Sequence, residues 1–152
     1  MNSKKTIIYL IFFILLVVGL ITYTKTIPKT QEYTQQSPAD VVRLYFTAWS
    51  NKNYADMYST ISDGFKMIEQ TAKDLKSFKQ YAESQGIDSI KILNIKEKSN
   101  EGNSAIVEYS VEFTLKDGTK NEFKGEFTLK NRRSDIIRGW KLIHPYGENI
   151  DE

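Results

Sequence analysis

The chain contains no cysteine. Disulfides, thiolate zinc sites, cysteine nucleophiles and lipid attachment through a thiol are therefore excluded. One histidine, His144, leaves too little imidazole for a transition-metal site. There is no phosphate-binding glycine loop, no Ser-His-Asp order, no zinc-ligand spacing and no calcium loop. No cofactor and no metal is expected. An excess of one charge is missing too. The net charge is +2, and Lys4, Lys5, Lys25 and Lys29 cluster around one apolar run. Without those four, 17 basic residues face 19 acidic ones, so no nucleic-acid partner is expected.

What is present begins with that run. Residues 1–6 form a short basic stub, and Ile7 to Tyr23 then continues without a charge. As a helix its 17 residues reach roughly 25 Å, at the short end for crossing a bilayer. A cleavable signal peptide would end in small residues, whereas this run ends in Leu20, Ile21, Thr22 and Tyr23. The reading is an uncleaved transmembrane signal-anchor at 7–23. Lys4 and Lys5 place the N-terminus in the cytoplasm and the rest of the chain outside the cell membrane. Residues 24–36 are polar, contain Pro28 and lack periodicity, as expected of a linker.

From residue 37 the chain reads as a folded domain. Ser37 can cap a helix, Pro38 fits its first position and Asp40 suits the positive end of its dipole. Val41, Val42, Tyr45, Ala48 and Trp49 form an apolar stripe, widened by Phe46. The polar corner Ser50 to Asn53 ends that helix, and Asn53 can cap a second one. Tyr54, Met57, Tyr58 and Ile61 fall on one face of it, and Ser62-Asp63-Gly64 reads as its stop. Phe65 to Glu69 is ambiguous between a strand fragment and a loop. Thr71 with Asp74 resembles a capping box for a third helix, whose buried face is Leu75, Phe78 and Ala82 with Tyr81 beside it. Gly86 closes that helix.

The period then changes from 3.6 to 2. Ile87 to Lys98 reads as a first strand, followed by a turn at 100–103. Val107, Tyr109, Val111, Phe113 and Leu115 alternate with polar residues, as do Phe123, Gly125, Phe127 and Leu129. A two-residue loop at Asp117-Gly118 would set Phe113 opposite Glu122 and Val111 opposite Lys124, mixing faces, so an odd loop is required. Loop 116–118 gives Gly118 a left-handed bulge position but sets Glu112 opposite Glu122 and Glu108 opposite Glu126. Loop 117–119 would pair Glu112 with Lys124. The first register is preferred, because a bulky residue at positive φ costs more than exposed charge pairs return. Ile136 to Tyr146 reads as the last strand, with Trp140, Leu142 and His144 on one face. Residues 147–152 form an acidic tail.

The fold class is therefore α+β: three N-terminal helices packed on a curved four-stranded antiparallel sheet, preceded by one transmembrane helix. Ser37-Pro38, Val41-Val42, Tyr45-Phe46, Ala48-Trp49, Asn53-Tyr54, Met57-Tyr58 and the closing Gly139-Trp140-Lys141-Leu142 resemble the NTF2-like, or cystatin-like cone, superfamily across residues 37–146. Small membrane-anchored or lipoprotein domains of unknown function in bacteria look similar, as does the NTF2-like domain of some penicillin-binding transpeptidases. The sequence departs from these relatives in having no transpeptidase stretch and no lipobox cysteine. The resemblance implies a pocket under the helices, but no single activity.

Candidate pocket residues are Tyr45, Trp49, Tyr58, Tyr109, Phe113, Trp140 and His144. His144 could serve as a base and the tyrosines as hydrogen-bond donors, yet at helical and strand spacing all of them also suit packing. Asp40 and Asp56 are already explained by their places at helix starts. Lys130, Arg132, Arg133 and Arg138 could grip an anion or a partner, or form a solvated basic turn. The outer sheet face, with Glu108, Glu112, Lys124 and Glu126, could seat a protein partner or a second copy. The sequence thus points to a non-enzymatic, membrane-anchored extracytoplasmic domain for binding or scaffolding in a cell-envelope process. The alternative is a small-molecule-binding or enzymatic cone.

Overall fold

A computed structural model describes residues 36–146. The predicted anchor at 7–23, nearly all of the linker and the acidic tail lie outside the described residues. Among the described residues, no helix is long and apolar enough to cross a membrane.

Helix α1 spans Pro38–Ser50 and starts as its sequence requires. The Asp40 N–H donates to Ser37 Oγ at 3.2 Å, while the Ser37 N–H donates back to the Asp40 carboxylate at 3.3 Å. The polar corner after it does more than end the helix. Lys52 takes a left-handed φ of 59° and sends its ammonium to the carbonyls of Ile87 and Asp88 at 2.6 and 2.8 Å. Ser50 Oγ accepts from the Ile90 N–H at 3.0 Å. One turn thereby fastens α1 to the start of the sheet. Helix α2, Tyr54–Ser59, is capped by Asn53 as expected.

The helical layer holds four α-helices and a 3-10 turn, rather than three helices. Ser62-Asp63-Gly64 does not stop a helix but begins one: α3 spans Asp63–Ile68, with Ser62 Oγ accepting from the Phe65 N–H at 2.9 Å. Gly64 is a buried helical residue, not a left-handed terminator. Thr71 and Asp74 form no capping box. Thr71 bonds Glu69 ahead of the 3-10 turn Gln70–Ala72. Asp74 alone caps α4, Leu75–Ser84, accepting from the Ser77 N–H at 2.8 Å. Leu75, expected on the buried face, is exposed. Gly86 follows α4 at φ 66°, as a helix-closing glycine should.

The sheet is an antiparallel meander in the order β1-β2-β3-β4, with β1 at Ile87–Asn100, β2 at Ser104–Leu115, β3 at Lys120–Arg132 and β4 at Gly139–Leu142. The β2–β3 register sets Glu112 opposite Glu122 and Glu108 opposite Glu126, with Gly118 at φ 86°; this is the preferred 116–118 loop. The like charges are reconciled by lysines. Lys98 reaches Glu126 at 2.5 Å and Glu108 at 3.8 Å, Lys120 reaches Glu112 at 3.0 Å, and Lys124 reaches Glu122 at 3.0 Å. Three irregularities interrupt β1 against β2; such bulges bend and twist a strand.

The last strand is shorter than the sequence suggested. Its hydrophobic start fails because Ile136 and Ile137 turn outward, at 91% and 52% exposure. His144 likewise lies past the end of β4. The strand's outer edge is met by a parallel bridge between Ile61 and Leu142, in which the Leu142 N–H donates to the Thr60 carbonyl and the Ser62 N–H donates to the Leu142 carbonyl. The core lies between helices and sheet: Val42, Phe46, Met57, Val107, Val111, Leu129 and Leu142 are almost fully buried. Side chains of this kind contribute about 1.5–3 kcal/mol each when removed from water.

Candidate functional site

The expected pocket residues do not gather in one place. Tyr45 and Trp49 of α1 meet Tyr109 and Phe113 of β2 in one aromatic layer. Phe46 and Phe127 complete it. Ring centroids lie 5.3 Å apart for Tyr45–Phe46, 5.7 Å for Tyr45–Phe127, 5.0 Å for Phe46–Tyr109, 4.6 Å for Tyr109–Phe127 and 5.6 Å for Trp49–Phe113. These are contact distances for aromatic pairs. The space under α1 is therefore occupied by rings. Gly125 makes this possible, since Tyr109 lies directly across the position where a side chain at 125 would begin.

Burial, reinforced by the neighbouring phenols of Tyr81 and Tyr109, pushes the Tyr45 hydroxyl well above the ordinary tyrosine range. Burial raises Tyr109 as well. Both keep their protons at neutral pH, so neither serves as a base.

Tyr58 stands apart. It packs on Phe78 at 5.3 Å, donates to the Ala72 carbonyl at 3.1 Å and carries the Lys66 ammonium over its ring. Trp140 is buried at the start of β4. His144 lies elsewhere again. Its ring meets Phe65 of α3 at 5.0 Å, its Nδ1 accepts from the Tyr146 N–H at 3.3 Å, and its Nε2 lies 3.8 Å from Glu69 Oε2. The Nε2 edge of the ring thus faces a carboxylate. Hydrogen bonds from the Thr71 N–H and hydroxyl hold the Glu69 carboxyl below its ordinary range, with His144 adding to the effect. The pair ties the segment after β4 to the end of α3 and is remote from the aromatic layer.

The basic turn is not merely solvated. Arg132 is buried at 5% exposure, and its Nε donates to Asp135 Oδ1 at 3.1 Å. Asp135 Oδ2 accepts from the Asp63 N–H at 3.0 Å, and Asp63 Oδ2 accepts from the Ile136 N–H at 2.8 Å. Lys66 closes the network on Asp63 at 2.8 Å. Burial pushes the Asp63 carboxyl up, but the bonds from Lys66 and Ile136 outweigh it and leave the group below its ordinary value. Lys141, also buried, donates to the Ser59 carbonyl; its burial lowers its pKa, aided by Lys66 and opposed by Asp135 and Asp63.

None of Asp63, Asp135 and Lys141 stood out in the sequence as a site residue. The spacing of Arg132 and Asp135 within Asn-Arg-Arg-Ser-Asp was the available signal for a local ion pair. Lys141 carried none, since a lysine between Trp140 and Leu142 belongs by alternation on the exposed face.

Among the described residues, cavities open on the surface at two places that bear on the candidate residues. One, of about 750 Å³, is lined by Gly102, Asn103, Ser104, Lys130, Asn131, Arg132, Arg133 and Ser134. Of the basic residues named from sequence, Lys130, Arg132 and Arg133 meet here; Arg138 is exposed nearby in sequence but does not line it. The other, of about 550 Å³, lies on the outer sheet face, with Asn94, Glu108, Ser110, Lys124 and Glu126 around Tyr109 and Gly125. Among the described residues, no cluster of three or more histidines and carboxylates is placed to hold a metal ion.

A helical layer over an antiparallel meander, with surface clefts and a ring-filled interior, defines an α+β domain of the kind that supports many unrelated functions. Residues 39–140 match the model of a family described as a domain of unknown function, DUF4829, and the chain belongs to that family. No curated protein matches the chain.

Among solved structures, a SEC-C motif-containing protein from Psychrobacter arcticus is similar, with 13% identity, 81% of this chain and 67% of that chain covered, and a TM-score of 0.52. A SEC-C motif-containing protein from Rhodopseudomonas palustris shows 17% identity, 76% and 83% coverage, and a TM-score of 0.51. These two likenesses show a shared fold. An NTF2-like protein of unknown function from Burkholderia pseudomallei is more distant, at 12% identity, 70% and 90% coverage, and a TM-score of 0.46.

Proposed function

We propose that the chain is a non-enzymatic binding or scaffolding domain of NTF2-like type. It is held outside the cell membrane by residues 7–23 and acts in a cell-envelope process. The observation that carries this reading is the filled aromatic layer. A small-molecule cone needs a concave space with a few convergent polar groups. Here Tyr45, Phe46, Trp49, Tyr109, Phe113 and Phe127 occupy that space themselves. The single histidine faces Glu69 and Phe65 instead. Recognition then falls to the surface, where the outer sheet face offers alternating carboxylates and lysines to a protein partner or a second copy.

Photo-crosslinking from positions 110 and 124 in intact membranes tests this. The expected result is a discrete, reproducible crosslinked species. Absence of any such species, together with a small molecule found bound among the rings of the aromatic layer, would establish the alternative small-molecule cone.

A further inference from the structure

We propose that the loop Arg133–Arg138 is a second membrane contact. In it the groove of Asn103, Ser104, Lys130, Asn131 and Arg133 seats the phosphate of an anionic phospholipid, and Ile136 and Ile137 enter the acyl boundary. The inference rests on the reading above that residues 7–23 hold the chain at a bilayer.

Three observations converge on this loop. The first is apolar exposure in a fixed frame. Ile136 is 91% exposed and Ile137 52% exposed, yet the backbone here is pinned rather than loose. Arg132 holds Asp135, Asp135 holds the Asp63 N–H, and Asp63 holds the Ile136 N–H. Isolated surface isoleucines need no explanation, but two in succession on a pinned loop form an apolar tip. Tyr146, at 93% exposure, lies tilted against His144, which packs on Phe65, two residues beyond the carboxylate that holds Ile136.

The second is charge. Arg132 is committed to Asp135, whereas Lys130, Arg133 and Arg138 form no ion pair among the described residues. Cations flanking an exposed apolar tip are the pattern that anionic bilayers attract. The third is the groove. At about 750 Å³ it is wide enough for a phosphate, and it supplies amide and hydroxyl groups beside the free cations.

The tether makes a weak contact sufficient. It holds the loop at an effective concentration on the order of millimolar beside the bilayer. Each inserted isoleucine would strengthen docking on the order of tenfold. Each arginine would add about fivefold near an anionic surface.

The absence of cysteine makes the test clean, since any introduced thiol is unique. The full chain carrying Ile136→Cys, labelled with an environment-sensitive fluorophore, is placed in nanodiscs of phosphatidylcholine alone or mixed with phosphatidylglycerol. A chain labelled at Lys120→Cys, on the β2–β3 hairpin, is the control. The expected result is blue-shifted emission, quenched by spin-labelled lipid, at position 136 in the anionic discs. It should weaken in neutral discs, be absent at position 120, and fall by about fivefold in docking equilibrium with each of Arg133→Gln and Arg138→Gln.

Water-like emission at position 136 in both lipids would overturn the proposal. So would a shift that ignores lipid charge and grows with protein density, which would assign the loop to a second copy. Saturable binding of polyphosphate by the detergent-solubilised chain, with no lipid response at position 136, would overturn it in favour of a soluble anion. Resistance of the chain to alkaline carbonate extraction reads the anchor separately, so loss of the anchor and loss of the loop contact give different results.

Discussion

Replacing Gly125 with alanine asks whether the interior is as closely filled as the ring distances imply. A Cβ at position 125 would lie 2.7 Å from the Tyr109 hydroxyl oxygen and 2.9 Å from the ring carbon that bears it. The hydroxyl oxygen is fixed in the plane of the ring, so relief requires the whole ring to shift, and the ring cannot move freely. It is stacked on Phe127 at 4.6 Å and tilted against Phe46 at 5.0 Å. Overpacking of this kind costs about 1–3 kcal/mol. Against it stands a gain of about 0.4–1 kcal/mol from restricting the unfolded chain at a position whose backbone suits any residue.

The net expectation for Gly125→Ala is a loss of about 1–2 kcal/mol. At roughly 5 °C per kcal/mol, that lowers Tm by about 5–10 °C. Urea unfolding of fragment 36–146, which carries the whole described core, measures it, with an unchanged m-value as the check on two-state behaviour. The decisive comparison is a cycle with Tyr109→Leu. In that background the ring is gone, and Gly125→Ala should become neutral or stabilising, giving a coupling of about 1–2 kcal/mol between the sites. Wild-type or higher stability for Gly125→Ala alone would refute the argument and mean that the space across from Gly125 is open.

Other expectations follow from the ionic network and the outer face. Arg132→Met leaves the Asp135 carboxylate buried without its cation and should cost about 3–5 kcal/mol by urea unfolding. Asp63 titrates below its ordinary value, so its contribution is present above pH 3.8 and is lost as pH falls through the depressed folded value. Asp63→Asn should therefore lower stability at neutral pH and flatten the acid limb of the stability–pH curve. Lys141 has the opposite consequence. Its folded pKa lies below 10.5, so the unfolded state binds more protons in that window and stability should rise with pH towards 10.5. Lys141→Met should remove that rise and be neutral or stabilising at pH 7, by about 1 kcal/mol. Lys98→Ala, which leaves Glu108 facing Glu126, should cost only about 0.2–1 kcal/mol, and added salt should shrink the difference.

The hairpin and the first two helices were legible in the sequence because each depends on neighbours a few residues away. The alternation through Val107–Leu115 and Phe123–Leu129 admits an odd loop only, and Gly118 chooses which one. Ser37 with Asp40, and Asn53 with Asp56, cap helices within a single turn. Helix α3 was not legible, because its six residues are too few for a period and Gly64 resembles a stop. One of its free N–H groups is satisfied by Asp135, 72 residues away. A second long-range bond, from the Ile136 N–H to the Asp63 carboxylate, takes Ile136 out of the last strand, which read as continuous on its apolar residues alone. The aromatic residues of the candidate site were visible, but whether they enclose a space or fill it depends on Gly125 and the register that brings it opposite Tyr109.

The parallel bridge between Ile61 and Leu142 has a consequence for synthesis of the chain. It joins a segment translated before half of the domain to one translated at its close, and the backbone groups of Thr60 and Ser62 meet their partner only there. Helices α1, α2 and α4 and the β2–β3 hairpin can form as they leave the ribosome, since their capping and pairing contacts are local. The sheet edge at 60–62 stays unpaired until residue 142 has emerged. A nascent chain stalled before Gly139 would thus carry an open strand edge and a core lacking Trp140 and Leu142. Such an intermediate would expose apolar surface and an unpaired edge to a chaperone or a protease.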